Sequence, residues 1–238
     1  MYAQLLRRSL LNPEATTVSR KQNFKKSLLQ HYGYATPSSS TDPQFIRCML
    51  LDIPLPSKVV IGAHLFRHSL HDIAASLLDL EDINDPRNGL LLFQPIEVAF
   101  DKFQLSFIYD KEADTFRLKL WDQALRLQLL VDSITDKNVR LRIENPDGWR
   151  RRSRPCVAKN CTLDLLTTFG DIDGKCLVFT NLTRPFKRCI NLQARVAREE
   201  AVRNKWIDES DEDFEDFWSE GLSVADKLEL VFRAARSL

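Results

Sequence analysis

Apolar and polar positions alternate with period two along Phe103-Gln104-Leu105-Ser106-Phe107-Ile108-Tyr109 and again along Thr115-Phe116-Arg117-Leu118-Lys119-Leu120-Trp121. Asp110 to Asp114 form a polar turn between the two runs, so the pattern predicts two antiparallel strands. Between 19 and 32 the period changes. Phe24, Leu28 and Leu29 recur at helical spacing while Lys21, Lys25 and Lys26 fall largely on another face, which predicts an amphipathic helix. Residues 2 to 11 also read as helical. Gly33, Pro37, Ser38, Ser39, Ser40, Asp42 and Pro43 then form a breaker-rich connector, and the main domain is expected to begin near Gln44.

Two short apolar runs follow, 47–52 and 58–63. The segment Ile53-Pro54-Leu55-Pro56-Ser57 between them suits a hairpin with a wide loop, and His64 sits at the exit of its second strand. A helix is expected from Ser69 to Leu80, then a polar loop broken by Pro86. Asn88-Gly89-Leu90-Leu91-Leu92-Phe93 reads as a short buried segment whose glycine allows a tight backbone approach. Gln94-Pro95 starts a short helix carrying Glu97 and Asp101, because proline suits a first helical turn. This order of hairpin, loop, helix and second hairpin defines an α+β fold.

Beyond Asp122 the expected elements are a strand at 139–143, a strand around 175–180 and a long helix from about Ile190 to Trp206. A last amphipathic helix is expected at 224–237. There is no internal repeat. The division expected is a helical arm and linker over 1–43, a central domain over 44–125, and a C-terminal extension over 126–238 packed on it.

At about 150 residues per domain, 238 residues make one to two domains. A hydrophobic share of 44% with 28% charged residues describes a globular chain and excludes disordered and collagenous classes. The 34 Lys and Arg against 33 Asp and Glu leave a net charge of +1, which excludes binding of nucleic acid by bulk charge. Any such contact must come from local patches. No apolar run reaches the roughly 20 residues that cross a bilayer, and residues 1–8 lack the features of a signal peptide. An intracellular protein, nuclear or cytoplasmic, without membrane contact is therefore expected. The five cysteines are odd in number and widely spaced, as suits reduced thiols. A zinc site from Cys156, Cys161, Cys176 and Cys189 matches no ordinary ligand spacing, and buried thiols account for them better.

Glu97 and Asp101 stand one helical turn apart, where like charges repel by a few tenths of a kcal/mol. A shared divalent cation would reverse that cost. The alternative is that Glu97 complements the positive helix N-terminus while Asp101 is solvated near Lys102. His64 is either a functional imidazole or a satisfied histidine at a strand end. His68 and His71 follow it at helical spacing, as surface imidazoles or, for His68, as a further contact to phosphate or metal.

Taken together, Ala63-His64-Leu65-Phe66, Asn88-Gly89-Leu90-Leu91-Leu92, Glu97 and Phe100-Asp101 ahead of a strand resemble the HNH endonucleases, the ββα-metal or His-Me finger nucleases. The likeness is to the branch with an Ala-His first motif and an Asn-Gly-Leu-Leu-Leu second motif running into Phe-Asp, and Cys48-Met49-Leu50-Leu51-Asp52 fits that branch's first strand. It covers about 47–109. The resemblance implies a ββα-metal core with an added antiparallel hairpin, an N-terminal helical arm and a helical C-terminal extension. It gives His64 the role of general base and Asn88 that of holding the hairpin in register. Glu97 and Asp101 would hold one divalent ion, and carboxylates in place of the family's usual histidines favour Mg²⁺ or Mn²⁺ over Zn²⁺. Two departures stand out: Ala63 occupies a place where many members carry a metal ligand, and the final family histidine is missing.

The implied activity is metal-dependent hydrolysis of phosphodiester bonds in nucleic acid, with DNA favoured over RNA as the substrate. Arg67, His68, Arg87 and Lys102 lie beside the expected site and are candidates for backbone phosphate contacts. Arg150, Arg151, Arg152 and Arg154 with Trp149 make a second candidate patch, and Arg195, Arg198, Arg203 and Lys205 either join it or pair with Glu199 and Glu200. The other class of function is a scaffold whose metal site has decayed and which binds nucleic acid or protein. The acidic stretch 208–220, with Phe214, Phe217 and Trp218, is a candidate for docking a protein partner.

Overall fold

The computed structural model describes residues 18–34, 45–66, 78–134, 136–144 and 163–210. Its elements are α1 (Val18–His31), β1 (Phe45–Arg47), β2 (Pro54–Pro56), β3 (Val60–His64), β4 (Gly89–Phe93), α2 (Gln94–Asp101), β5 (Leu105–Asp110), β6 (Thr115–Leu120), α3 (Lys137–Glu144) and α4 (Lys187–Arg203). The strands pair as three separate antiparallel ribbons, β1 with β2, β3 with β4, and β5 with β6, so the fold is α+β. The helices expected at 2–11, 69–80 and 224–237 lie largely or wholly outside the described residues, as do the arginine cluster at 150–154 and most of the acidic stretch.

The strand pairing corrects the expected first hairpin. The run 47–52 does not pair with 58–63. Residues 48–53 instead form the turn of a small ribbon in which Ile46 faces Leu55, closed by an ion pair from Arg47 to Asp52 at 2.5 Å. Asp52 adopts a left-handed φ of 58° there. Pro54 and Pro56 are tolerated because each gives up a ladder donor only at the edge of a two-stranded ribbon. The turn is apolar because Met49 and Leu50 plug the core, and the Met49 N–H donates to the Leu91 carbonyl at 2.9 Å.

The true partner of β3 is β4, in a register from Val60 opposite Phe93 to His64 opposite Gly89. All five residues of β4 are buried, which explains its unbroken Gly-Leu-Leu-Leu-Phe run. Helices α1 and α2 both pack on this ribbon. Two glycines admit α1: a Cβ on Gly62 would lie 3.0 Å from Leu28, and one on Gly89 would lie 2.5 Å from Phe24.

The third ribbon pairs from Leu105 opposite Leu120 to Asp110 opposite Thr115; β6 alternates in burial, while β5 is buried on both faces from Leu105 to Ile108. Its buried face includes Trp121, whose indole N–H donates to Ser106 Oγ at 2.8 Å. The segment expected as a strand around 175–180 is shorter. It runs along β6 through Leu118 N–H to the Lys175 carbonyl and Leu177 N–H to the Phe116 carbonyl, a bridge rather than a strand. The strand expected at 139–143 is the helix α3. Asp136 accepts from the Asn138 N–H at 2.9 Å and starts it as an N-cap. Helix α4 spans 187–203 and lays Ile190, Ala194, Ala197 and Ala201 against the core, packing on β5. The Gln193 amide reaches the Phe100 carbonyl at 3.3 Å and so touches the end of α2.

Candidate active site

His64 is the last residue of β3, and its half-buried ring is held from two directions. Phe24 of α1 lies flat against it, with ring centroids 3.6 Å apart and an interplanar angle of 8°. Its Nε2 is 3.4 Å from Asn84 Oδ1, in the loop between β3 and β4. That loop is organised by its own acids: Asp82 accepts from the Asn84 N–H, and Asp85 accepts from the Arg87 N–H ahead of the turn Pro86–Asn88.

Asn88 is fully buried and its side chain uses both ends. Its Oδ1 accepts from the Phe66 N–H at 2.8 Å, and its Nδ2 donates to the carbonyls of Phe66 at 3.0 Å and Ile83 at 2.9 Å. The Asn88 carbonyl also accepts from the Leu65 N–H. The residues just after His64 are thus tied to the residue just before β4. Tyr32 of α1 adds a bond from its hydroxyl to the Gly89 carbonyl at 3.1 Å. Burial pushes that phenol well above its ordinary range, so it remains a neutral donor.

Helix α2 leaves β4 directly, with Pro95 in its first turn. Glu97 is half-buried in that first turn and Asp101 is exposed in the last. The two carboxylates share a face one turn apart. Lys102 is exposed and caps the helix through its N–H to the carbonyls of Val98 and Phe100.

Among the described residues no group of three or more His, Cys, Asp and Glu forms a metal cage. Glu97 and Asp101 offer carboxylate oxygens, the donors that hard divalent ions take, with waters and substrate phosphate commonly completing the shell. Cys48 and Cys189 are buried, and burial raises both thiols, that of Cys189 to about 12. Cys156 and Cys161 lie outside the described residues, as do Arg67, His68 and His71.

Arg87 is engaged within the protein. Its guanidinium meets Asp85 at 2.7 and 3.1 Å and lies 4.2 Å above the Phe186 ring, whose other cation is Arg188 at 3.9 Å. Burial pushes the Asp85 carboxyl up, but the bonds from Arg87 outweigh it, aided by Arg87's charge and His31, so it titrates below the ordinary carboxylate range. Arg188 also donates to the Leu78 carbonyl at 2.5 Å, and the Phe186 N–H donates to the Arg87 carbonyl. The start of α4 therefore clamps both ends of the segment 78–88.

Phe24, Tyr32, Asn84 and Phe186 were not singled out as functional from sequence. Helical spacing marks Phe24 as core-facing, yet nothing local tells that its neighbour is His64. Residues 48–108 match the family model described as HNH endonuclease, and this segment belongs to that family. No curated protein and no solved structure matches the chain. The family indicates a nuclease-type function with a nucleic-acid substrate. No described helix is long and apolar enough to cross a membrane.

Proposed function

We propose that this chain is a ββα-metal endonuclease, with β3, β4 and α2 as its core, that hydrolyses phosphodiester bonds in DNA in preference to RNA. The observation that carries the reading is the Asn88 clamp beside His64. A fully buried asparagine with three bonds to the loop backbone ties the residues after His64 to the start of β4, the strand that runs directly into the carboxylate-bearing helix α2, in the segment that matches the family. The nuclease unit is 44–125, with 1–43 and 126–238 as its helical arm and extension.

In this mechanism His64 takes a proton from a water as that water's oxygen bonds to phosphorus. The P–O bond opposite breaks, and its oxygen leaves to be protonated by solvent. Glu97 and Asp101 would hold a divalent ion, Mg²⁺ or Mn²⁺, which would supply stabilisation of the charge that develops during cleavage. Asn88 touches no reacting atom and acts by keeping His64 in register. Arg67, His68, Arg87 and Lys102 would contact the flanking phosphates, and Arg87, bound to Asp85, also holds the loop.

The test is nicking of supercoiled plasmid with Mg²⁺ or Mn²⁺ by the intact protein, His64→Ala, and the Glu97→Ala/Asp101→Ala double variant, all matched for folding by circular dichroism. Metal-dependent nicking lost in both variants is expected. A folded intact protein that cleaves neither DNA nor RNA with any divalent ion would replace this reading with a non-catalytic binding scaffold.

A further inference from the structure

The family match begins at residue 48, yet the ring lying on His64 comes from α1, outside it. We propose that Phe24 is a positioning residue for the nuclease reaction, fixing the plane of the His64 imidazole; this rests on the function proposed above.

Phe24 is buried, and its face meets the imidazole nearly in parallel with the ring centroids 3.6 Å apart, within the contact distance of carbon atoms. A histidine at a strand end has two rotatable side-chain bonds, and a flat partner at contact distance removes most of the freedom of the second. The seat of Phe24 is built around it. Gly89, directly opposite His64 in the ribbon, carries no Cβ where one would come within 2.5 Å of Phe24 Cζ, so the site's own strand leaves the space that the ring fills. Helix α1 is in turn anchored on the same ribbon by Tyr32 to the Gly89 carbonyl and at its edge by Lys25 Nζ to the Ser57 carbonyl. An aromatic face is also electron-rich, and the imidazolium formed when His64 takes the proton lies over it. Ring orientation and support of the charged form therefore come from one side chain.

The experiment compares Phe24→Leu, which keeps apolar bulk but has no flat face, with Leu29→Ala, which removes buried packing from the same helix. Both are read below their melting temperatures in the full chain. The His64 Hε1 signal, identified among the four histidines by its loss in His64→Gln, is expected upfield from the ring current of Phe24. In Phe24→Leu it moves downfield and kcat falls roughly tenfold with KM unchanged. Leu29→Ala moves neither. An unmoved signal in Phe24→Leu, or equal loss of kcat in the two variants, would overturn the proposal. If the intact protein does not cleave, the nuclease reading fails and with it the catalytic role, while the signal alone still decides whether Phe24 orients His64.

Discussion

Asn88 and Phe66 exchange two hydrogen bonds, the Phe66 N–H to Asn88 Oδ1 and Asn88 Nδ2 to the Phe66 carbonyl, across 22 positions of chain. This reciprocal pair turns a long excursion between β3 and β4 into a closed loop whose two ends meet at His64 and Gly89. A buried amide with all its bonds made is costly to alter, because each group left unpaired costs about 1 to 3 kcal/mol.

Asn88→Ala strands the Phe66 N–H and the Ile83 carbonyl, so an expected loss of about 2 to 4 kcal/mol follows. Urea denaturation of the purified variant measures it. Asn88→Asp is expected to be as harmful despite its equal size, since a carboxylate cannot donate to the two carbonyls that Nδ2 serves.

Gly89→Ala sets a methyl against Phe24 and should lower stability by about 1 to 3 kcal/mol and reduce cleavage with it. Gly174 makes the contrast. A Cβ there meets nothing within 4 Å, but its φ of 80° is left-handed, so Gly174→Ala is expected to cost about 1 kcal/mol and to leave cleavage intact. Thermal melts with plasmid nicking on both variants separate the two effects.

Glu97→Gln and Asp101→Asn are each expected to raise the Mg²⁺ concentration for half-maximal nicking by roughly tenfold or more, since each would remove one of the two carboxylates of the proposed metal site. Titration of the metal against nicking rate is the measurement. Equal metal dependence in both variants and the parent would remove these residues from the metal site.

The carboxyl of Asp85 titrates below its unfolded value because Arg87 holds it ionised. A folded value that is depressed contributes stability above the unfolded value near 3.9 and loses it as pH falls through the folded one. Stability should therefore drop more steeply below about pH 4 in the parent than in Asp85→Asn, as denaturant midpoints across this range will show.

The thiols of Cys48 and Cys189 are raised by burial, so almost no thiolate forms at neutral pH. Iodoacetamide at pH 7.5 is expected to leave both unmodified in the native state and to label both in urea, as read by peptide mass mapping.

Elements whose cues lie within their own residues were legible in the sequence. The alternation of 105–110 and 115–120 with a polar turn between them, the Gln-Pro start of α2 and the apolar spacing of Phe24, Leu28 and Leu29 each state a local preference that the fold keeps. The resemblance likewise singled out His64, Asn88, Glu97 and Asp101 as candidates, because a motif is a matter of order and spacing. Pairing partners are not local. β3 joins β4, 25 residues beyond its end, while the nearer run serves as a turn whose Met49 and Leu50 are buried in the same core. The segment 139–143 alternates like a strand, yet it is helical: Leu141 is 61% exposed, no described strand pairs with it, and the Asp136 side chain accepts from the Asn138 N–H at its start. Only the tertiary structure decided that Phe24 lies on His64 and that Phe186 sits between Arg87 and Arg188. Contacts between residues 40 and 99 positions apart arise from how helices pack on a ribbon, which no local pattern of side chains encodes.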